Sequence, residues 1–338
     1  LPDAKLSVIG DLIAIDHWKQ RAFLISNVLI GDKETESSIE EKYKNSIRRL
    51  EDLAETGATG SEEPLMFPPP LDEDLPEVMS TFETDQFCLA VETAKEHIIN
   101  GDIFQVVLSQ RFDVELDADP FDVYRVLRQI NPSPYMYFFR YEELSIVGAS
   151  PEPMVRLIEG KVFSRPIAGT RKRGKTDEED RILASELKED PKELAEHVML
   201  LDLARNDLGR VVEFGTETVD ETMTLEKYSH VMHLTSQVSG DLRNDLGPID
   251  VLRATLPAGT VSGAPKVRAM QIIDDLEPTK RGPYAGVVGY FDFSGNIDTA
   301  ITIRTMIVKD GVASVQAGAG IVADSDPHAE DQECRNKA

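Results

Sequence analysis

Two segments of the chain repeat one pattern, an Asp-Pro pair followed by two glutamates three residues apart. The residues are Asp190, Pro191, Glu193 and Glu196 in the first segment and Asp326, Pro327, Glu330 and Glu333 in the second. The Asp-Pro pair predicts the cap and first residue of a helix, and the spacing places both glutamates on one helix face. Two such faces turned toward each other would gather four carboxylates that need a cation, and oxygen-only donors favour Mg²⁺ over Zn²⁺. Alternatively, each glutamate pair complements the dipole of its own helix at the surface.

A basic segment suggests where an anionic ligand would bind. "PIAGTRKRGK", residues 166–175, places four cations behind Gly169 and Thr170. A metal site and a separate cluster of cations and backbone N–H groups suit a small substrate with two anionic ends. In "QAGAG", residues 316–320, two glycines would let a carboxylate approach the main chain, unless the segment is only a tight turn. Arg304 is one charge in the predicted apolar strand "DTAITIRTMIV", where a cross-strand ion pair is the alternative role.

Composition limits the class of protein. The chain has 338 residues and 41% hydrophobic content, enough for about two domains or one large one. Its 61 acidic and 36 basic side chains give a net charge of −25, which argues against nucleic-acid binding. Two cysteines without C-x-x-C spacing predict neither a disulfide framework nor a thiolate metal site, and fit a reducing cytoplasm. No apolar run reaches the roughly 18 residues that span a bilayer, so no membrane association is expected.

The pattern of predicted elements indicates an α+β fold. Residues 1–30 predict two strands joined by a turn near His17, and residues 56–77 predict a surface connection rich in Gly, Pro and acids. Beyond it, consecutive strands with few helices between them predict large antiparallel sheets with helices packed outside. We expect residues 1–75 to be the remnant of an N-terminal region and residues 76–338 to be the main domain. Because the chain begins without Met and ends inside a helical pattern, we expect a fragment of a longer protein.

An ordered series of motifs resembles the chorismate-utilising enzymes, and most closely their anthranilate synthase component I family. The motifs are "FQVVLSQRF", "NPSPYM", "GASPE", "PIAGTRKRG", "LLDLARNDLGRV", "YSHVMHLTSQV", "GTVSGAPKVRAM", "AGVVGYF" and "QAGAGIVADSDP". The resemblance covers nearly the whole chain. It implies a chorismate-binding fold over residues 76–338, with two antiparallel sheets and helices outside.

The resemblance also implies the substrate and metal contacts, because chorismate is a dicarboxylate. The ring carboxylate would bind Mg²⁺ and the loop of Gly318, Ala319 and Gly320, and the enolpyruvyl carboxylate would bind Tyr284 and Arg304. Gly169 and Thr170 would line the ring, with the cations behind them acting mostly as loop anchors, and Thr260 and Lys337 would be carboxylate neighbours. The direct Mg²⁺ ligands would be Glu196 and Glu333, and Glu193 and Glu330 would act through water.

Two positions separate the sister activities of the family. Relatives that add water to chorismate carry a lysine base where this chain has Gln105, and aminodeoxychorismate synthases carry a lysine nucleophile at Ala168. Without either lysine, we expect ammonia itself to attack ring C2. Glu152 matches the general acid that protonates the leaving hydroxyl, which requires a protonated carboxyl near neutral pH. His233 matches the residue tied to pyruvate elimination, although the residues alone favour a packed core histidine.

We therefore expect Mg²⁺-dependent conversion of chorismate and ammonia to anthranilate and pyruvate, the first step of tryptophan biosynthesis. A glutamine amidotransferase subunit would supply the ammonia. Pro134, Tyr135 and Met136 match half of the family's tryptophan-inhibitor site, and the N-terminal segment with the other half is missing, so feedback inhibition and subunit docking stay open. One alternative activity is that of a 2-amino-2-deoxyisochorismate synthase, which stops after amination. The other alternative is an inactive binding or regulatory module.

Overall fold

The computed structural model describes residues 3–59, 64–68, 76–227 and 231–338, apart from the side chain of Thr170. It divides into two compact units, Leu1–Leu65 and Met66–Ala338. The predicted boundary at residue 75, like much of the predicted connection 56–77, lies outside the described residues, and the division at that point stays a prediction. Within the described ranges, each helix is too short or too polar to cross a bilayer.

The first unit is a hairpin followed by a helix. Strands β1 (Asp11–Asp16) and β2 (Arg21–Ser26) pair antiparallel around a turn at residues 17–20, which confirms the predicted turn near His17. Helix α1 (Glu36–Ala58) begins at Thr35, whose hydroxyl accepts a hydrogen bond from the Ser38 amide and so satisfies one free N–H of the first turn.

The second unit contains the remaining elements. Its strands are β3 (Met79–Ser80), β4 (Gln105–Glu115), β5 (Tyr135–Arg140), β6 (Ser145–Ser150), β7 (Pro153–Ile158), β8 (Lys161–Ser164), β9 (Ile167–Lys172), β10 (Thr218–Lys227), β11 (Val231–Asp241), β12 (Gly263–Ala264), β13 (Val287–Phe291), β14 (Ile297–Ile301), β15 (Thr305–Lys309) and β16 (Val312–Ile321). Its helices are α2 (Thr84–Ile99), α3 (Pro120–Ile130), α4 (Asp177–Glu189), α5 (Pro191–Leu208), α6 (Pro248–Thr255), α7 (Gly259–Ser262), α8 (Lys266–Leu276) and α9 (Pro327–Lys337).

The strands of this unit form two antiparallel sheets, which confirms the α+β class. Among the described residues each sheet has seven strands. Sheet I has the order β10-β11-β8-β7-β14-β13, with β9 also paired to β11. Sheet II has the order β12-β4-β16-β15-β6-β5, with β3 also paired to β4. The long pair β4 and β16 runs in register from Val106 opposite Ile321 to Glu115 opposite Val312.

Helices cover the sheets and bury their apolar faces. On sheet II, Val106, Leu108 and Ile321 share one core with side chains of α2, α8 and α9, including Phe87, Ile272 and Cys334. On sheet I, β7, β8 and β14 share a second core with α5 and α6. Removal of these side chains from water is the main stabilising contribution to the unit, because each large buried side chain adds roughly 1.5–3 kcal/mol.

The predicted strands differ from the observed ones at two places. The predicted strand "KVFSRPIAG" is divided into β8 and β9 by Arg165 and Pro166, and a proline has no N–H for a sheet ladder. The predicted strand "DTAITIRTMIV" is also divided, since β14 belongs to sheet I and β15 to sheet II. Arg304 lies between them with a φ of 50°. The prediction that Arg304 lies inside a strand is therefore wrong, because the chain changes sheets at this residue.

Candidate active site

The two glutamate pairs lie at the starts of helices α5 and α9, as the sequence predicts. The Asp190 side chain accepts hydrogen bonds from the amides of Lys192 and Glu193. The Asp326 side chain accepts one from the amide of Ala329 at 2.8 Å. Each helix also has a proline in its first turn. The capping aspartates and prolines therefore fix where each helix begins, and with it the face that carries the glutamates.

The glutamates of the two helices lie close enough to influence one another. Burial raises the pKa of Glu196, and the negative charges of Glu193 on its own helix and Glu333 on α9 raise it further. Burial likewise raises the pKa of Glu330, with Glu333 adding to the effect. The structure therefore brings the four predicted metal-ligating carboxylates into one electrostatic group.

The same carboxylates do not form a ready coordination shell. Within residues 3–59, 64–68, 76–227 and 231–338, no three His, Cys, Asp or Glu side chains converge as metal ligands would. Arg171 donates to Glu193 Oε1 at 2.9 Å, and Lys337 donates to Glu333 Oε1 at 2.5 Å. The oxygen donors nevertheless suit a hard cation. The carboxylates repel one another and so raise each other's pKa, and a positive charge between them would reduce this repulsion.

The basic segment is held by acidic side chains of this chain. Arg171 in β9 contacts Asp190 Oδ2 at 2.8 Å in addition to Glu193. Arg173 donates to Asp180 Oδ1 at 2.7 Å, and Lys227 also contacts Asp180. Hydrogen bonds from these two cations hold the pKa of Asp180 well below its usual range. Arg171 and Arg173 therefore anchor the segment to helices α4 and α5.

Glu152 is a carboxyl group in an environment that favours its neutral form. It lies between β6 and β7, and Thr260 Oγ1 donates to Glu152 Oε1 at 2.9 Å. Desolvation raises the pKa of Glu152 to about 7, against smaller lowering effects of the Thr260 hydrogen bond and the Lys337 charge. Glu152 and Thr260 line a small cavity together with Asp207. A carboxyl group with this pKa can serve as a proton donor near neutral pH.

Gln105 of sheet II lies next to Glu196 of helix α5. It is buried at the start of β4, where its side-chain amide partly offsets the rise that burial causes in the pKa of Glu196. Gly320 lies in β16, and a Cβ added there would stand 2.6 Å from Gln105 Nε2. The glycine therefore leaves the space that the Gln105 amide occupies.

The predicted Gly318-Ala319-Gly320 loop is instead part of strand β16. These three residues pair with Ser109, Leu108 and Val107 of β4. The Ala319 side chain is fully buried in the sheet II core, so it points away from Gly318 and Gly320, as strand alternation requires. The loop prediction is wrong because small residues here serve close packing: a Cβ at Gly318 would stand 2.7 Å from the Tyr284 hydroxyl oxygen.

Tyr284, Arg304 and Lys337 meet beside Gly318. Lys337 Nζ donates to the Gly318 carbonyl at 3.1 Å, and Arg304 Nη1 donates to the Lys337 carbonyl at 3.0 Å. Burial raises the pKa of Tyr284, so its hydroxyl stays protonated, with the positive charges of Arg281 and Arg304 acting against the rise. The three side chains supply a hydroxyl donor and two cations beside one another, which suits recognition of a carboxylate.

His233 lies on β11, beside the strand that carries Gly169. Its Nδ1 is 3.2 Å from the Gly169 carbonyl oxygen. Burial lowers the pKa of His233, so the ring is neutral near pH 7. Gly169 has a φ of +66°, and a Cβ added there would stand 3.1 Å from Glu193 Oε2. The backbone of Gly169 therefore lies next to both His233 and Glu193. The side chain of Thr170 lies outside the described residues.

Two of the three predicted inhibitor residues, Pro134 and Tyr135, line a second cavity of about 410 Å³. This cavity shares Pro153, Ser164 and Arg165 with the small cavity that Glu152 lines. The Tyr135 hydroxyl donates to Asp298 Oδ1 at 2.9 Å. Met136 follows in β5.

Sequence reasoning missed two ion pairs next to the site. Glu277 and Arg281 form one, at 2.6 Å, beneath Tyr284. Lys266 and Asp207 form the other, also at 2.6 Å, on the wall of the cavity that Glu152 lines. Asp207 and Lys266 lie on helices α5 and α8, far apart in the sequence, so no periodic pattern pairs them, whereas Glu277 and Arg281 have the i, i+4 spacing of a helical ion pair.

The chain is similar to anthranilate synthases and to isochorismate synthases. Anthranilate synthase component 1 of Acetivibrio thermocellus is 49% identical over 342 residues, covering 100% of this chain and 68% of that protein. The solved structure of anthranilate synthase component I from Streptococcus pneumoniae is 44% identical, with a TM-score of 0.83 over 97% of this chain and 71% of that one. The menaquinone-specific isochorismate synthase of Escherichia coli is 25% identical, with a TM-score of 0.74 over 90% of this chain and 68% of that one.

The curated relatives are longer than this chain. The chain spans about two thirds of the length of the curated relatives it matches. The family model described as chorismate binding enzyme matches residues 1–338. The resemblance found in the motifs is thereby confirmed over the whole sequence, and the chain belongs to the family of chorismate binding enzymes.

Proposed function

We propose that this chain has the activity of anthranilate synthase component I, the Mg²⁺-dependent conversion of chorismate and ammonia to anthranilate and pyruvate. The observation that carries the proposal is Glu152, a carboxyl group with a pKa of about 7 hydrogen-bonded to Thr260. The positions that carry lysine in the sister activities hold Gln105 and Ala168. The similarity to anthranilate synthase component 1 at about 50% identity supports the proposal.

The proposed metal ion is Mg²⁺ between helices α5 and α9. Glu196 and Glu333 would be its direct ligands, and Glu193 and Glu330 would act through water. The support is their mutual effect on pKa, which positive charge would relieve. When bound, the ion would neutralise and hold the ring carboxylate of chorismate. Arg171 and Lys337 already bring positive charge to two of these glutamates.

The proposed binding residues surround the position of the substrate. Tyr284 and Arg304 would hold the enolpyruvyl carboxylate, and Lys337 would add positive charge beside them. Gly318 and Gly320 would bring the β16 backbone to the ring carboxylate, next to the Tyr284 hydroxyl and the Gln105 amide that occupy their side-chain space. Gly169 and Thr170 would line the ring. This arrangement separates the two carboxylates of chorismate, which fixes the orientation of the ring toward Glu152.

In the first proposed step ammonia attacks ring C2 and the C4 hydroxyl leaves. The ring electrons shift between these atoms, and Glu152 donates the proton that converts the leaving hydroxyl to water. Thr260 holds the carboxyl group in place for this transfer. Gln105 has no basic nitrogen that could activate water. Ammonia is a nucleophile without such activation, so it is the group that attacks C2. The product is an aminated ring that is not yet aromatic.

In the second proposed step the ring becomes aromatic. The C2 proton is removed, the C3–oxygen bond breaks, and the enolpyruvyl group leaves and becomes pyruvate after protonation. His233 is suited to accept the C2 proton because its lowered pKa keeps the ring neutral near pH 7. This step distinguishes the proposed activity from that of an enzyme that stops after amination.

We also propose the partners that this activity requires. A glutamine amidotransferase subunit would supply ammonia, and tryptophan would act as a feedback inhibitor through Pro134, Tyr135 and Met136. The proposed compartment is the cytoplasm, which is consistent with two unpaired cysteines, Cys88 and Cys334. The proposed pathway is tryptophan biosynthesis.

The experiment is incubation of the chain with chorismate, Mg²⁺ and ammonium while anthranilate fluorescence and pyruvate are followed. Equal amounts of both products are expected. Chorismate consumption without pyruvate would instead indicate an enzyme that stops after amination. If calorimetry shows that the chain binds chorismate stoichiometrically but no product forms, the chain is a binding module and the proposal is overturned.

A further inference from the structure

One buried ion pair next to the site has no role in the chemistry described above. Glu277 ends helix α8, and Arg281 follows four residues later. The exposed fractions of their side chains are 4% and 15%. Arg281 Nε donates to Glu277 Oε2 at 2.9 Å, and Nη2 donates to Oε1 at 2.6 Å. Removing two charges from water costs free energy, which is offset only when further hydrogen bonds satisfy the remaining polar atoms of the pair.

Arg281 contacts three parts of the candidate site at once. Its Nη1 donates to the Val261 carbonyl at 2.6 Å, next to Thr260. Its Nη2 donates to the Val107 carbonyl at 2.6 Å, in the residue opposite Gly320. Its guanidinium carbon lies 5.3 Å from the centre of the Tyr284 ring. One planar cation therefore joins α7, β4 and the tyrosine that faces Gly318.

Glu277 links the Arg281 guanidinium to sheet II. Its Oε1 accepts hydrogen bonds from the amide and the hydroxyl of Ser109, both at 2.8 Å. Ser109 lies in β4 opposite Gly318, and Gln316 donates to its hydroxyl oxygen at 2.8 Å. The carboxylate therefore ties the ion pair to both central strands of sheet II.

We propose that Glu277 and Arg281 are positioning residues that hold the Tyr284 ring against Gly318, so that its hydroxyl is placed to bind the enolpyruvyl carboxylate of chorismate. The inference rests on the proposed function for the identity of that ligand. The pair does not contact the ligand in this scheme; it acts through Tyr284. A lysine could not replace Arg281, because an ammonium group lacks the planar fork that reaches Glu277 and two carbonyl groups together.

The test compares Arg281→Lys in the wild-type chain with Arg281→Lys in a Tyr284→Phe chain. If Arg281 acts through the tyrosine hydroxyl, the KM for chorismate should rise at least roughly tenfold in the first background and less than about twofold in the second. The kcat should change less than KM in both. Glu277→Gln should behave like Arg281→Lys. The matched control is Arg268→Lys, which alters an ion pair with Asp102 on the surface of the same region and should leave KM unchanged.

Equal rises of KM in both backgrounds, or no rise in a folded variant, would overturn the inference. A second measurement, which needs no turnover, tests the inference if the chain is inactive or if a variant loses stability. With ¹³C at the tyrosine ζ carbons, Tyr284→Phe identifies one of the 8 tyrosine signals. That signal should shift in Glu277→Gln and stay in place in Arg268→Lys. A wild-type chain that neither binds nor converts chorismate would refute the proposed function, whereas an unmoved Tyr284 signal would refute the positioning role.

Discussion

The charge state of an acidic residue in this protein is set by its neighbours. Asp180 accepts hydrogen bonds from Arg173 and Lys227, which keep its pKa well below the usual range. Glu152 instead has Thr260 as its hydrogen-bond partner, and desolvation raises its pKa to about 7. The first carboxylate can only anchor a segment, whereas the second can carry a proton at neutral pH. The environment around each carboxyl group therefore separates structural from chemical residues.

The first prediction concerns Glu152→Gln. Because the glutamine cannot donate an acidic proton, turnover should fall at least about 100-fold. In the wild type, kcat should fall as pH rises through about 7, where Glu152 loses its proton. A raised carboxyl pKa also means that the folded state binds a proton that the unfolded state releases above its ordinary pKa of 4.5. The free energy of unfolding should therefore fall between pH 4.5 and 7 in the wild type, and fall less in the variant.

Rate profiles and denaturant unfolding at several pH values test this prediction. Glu186→Gln, on the exposed face of α4, is the control and should keep both wild-type profiles. Wild-type turnover in Glu152→Gln would remove Glu152 from the acid role.

The second prediction concerns His233→Met, which replaces the ring with an apolar side chain of similar volume. If the histidine only packs, stability should change by about 1 kcal/mol and both chemical steps should be affected alike. If it accepts the C2 proton, amination continues because Glu152 and the metal-site glutamates are untouched. Chorismate should then be consumed with little pyruvate, and an aminated, non-aromatic intermediate should accumulate. Chromatography of quenched reactions and a pyruvate assay distinguish the two results, and parallel loss of both steps would return His233 to a packing role.

At the scale of elements, local signals predicted helices better than they predicted strand membership. The starts of α5 and α9 follow from Asp190, Pro191, Asp326 and Pro327, since caps act within one helical turn. The break at Arg304 could not be predicted, because it depends on β14 and β15 pairing with strands far away in the sequence. The strand conformation of Gly318 likewise depends on its pairing with Ser109. Helix boundaries are thus local properties of this chain, whereas the strand boundaries around the site are tertiary.

The third prediction concerns the metal between helices α5 and α9. Glu196→Gln or Glu333→Gln removes a direct charged ligand at nearly constant volume, so Mg²⁺ affinity should fall more than about 100-fold. Glu193→Gln or Glu330→Gln should cost about 10- to 100-fold, as loss of a group that acts through water does. Because the pKa values of Glu196 and Glu330 are raised, wild-type Mg²⁺ affinity should increase with pH as these groups lose their protons.

Calorimetric titration with Mg²⁺ at several pH values measures these affinities, with Glu186→Gln again as the control. Unchanged Mg²⁺ dependence of turnover in both Glu196→Gln and Glu333→Gln would refute the metal assignment. The fold should survive each substitution, since Gln has nearly the volume of Glu and the exchange removes repulsion between neighbouring carboxylates.

At the scale of the whole molecule, the candidate site is where the two sheets meet. Glu152 and His233 are supplied by sheet I and its connections, and Gln105 and Gly318 by sheet II. The sequence could supply the residue types, and the family resemblance could supply their roles. Neither the residue types nor the family resemblance predicted a role for Glu277 and Arg281. Their contacts with Val107, Val261 and Ser109 form only when the sheets and helices pack together.

The fourth prediction concerns the source of nitrogen. All of the chemistry proposed for this chain uses free ammonia, and glutamine hydrolysis is assigned to a separate subunit. The chain alone should therefore form anthranilate with ammonium and not with glutamine. Its rate should rise with pH at constant total ammonium because the free ammonia fraction grows, and should level off above about pH 7, where loss of the Glu152 proton offsets that gain. Anthranilate fluorescence with each nitrogen source is the measurement, and glutamine-dependent turnover by the purified chain would contradict the proposed division of labour.

The last prediction follows from the net charge of −25. Chorismate carries two negative charges, so the long-range field of the protein opposes its approach, while Arg304 and Lys337 attract it only at short range. Added salt shortens the screening length from about 10 Å at 0.1 M to about 3 Å at 1 M, which weakens the long-range repulsion most. The KM for chorismate should therefore fall, by roughly twofold or more, as sodium chloride is raised at fixed free Mg²⁺. Sucrose at matched osmolality is the control and should leave KM unchanged. A KM that rises with salt would mean that the local cations, and not the net charge, govern the encounter with substrate.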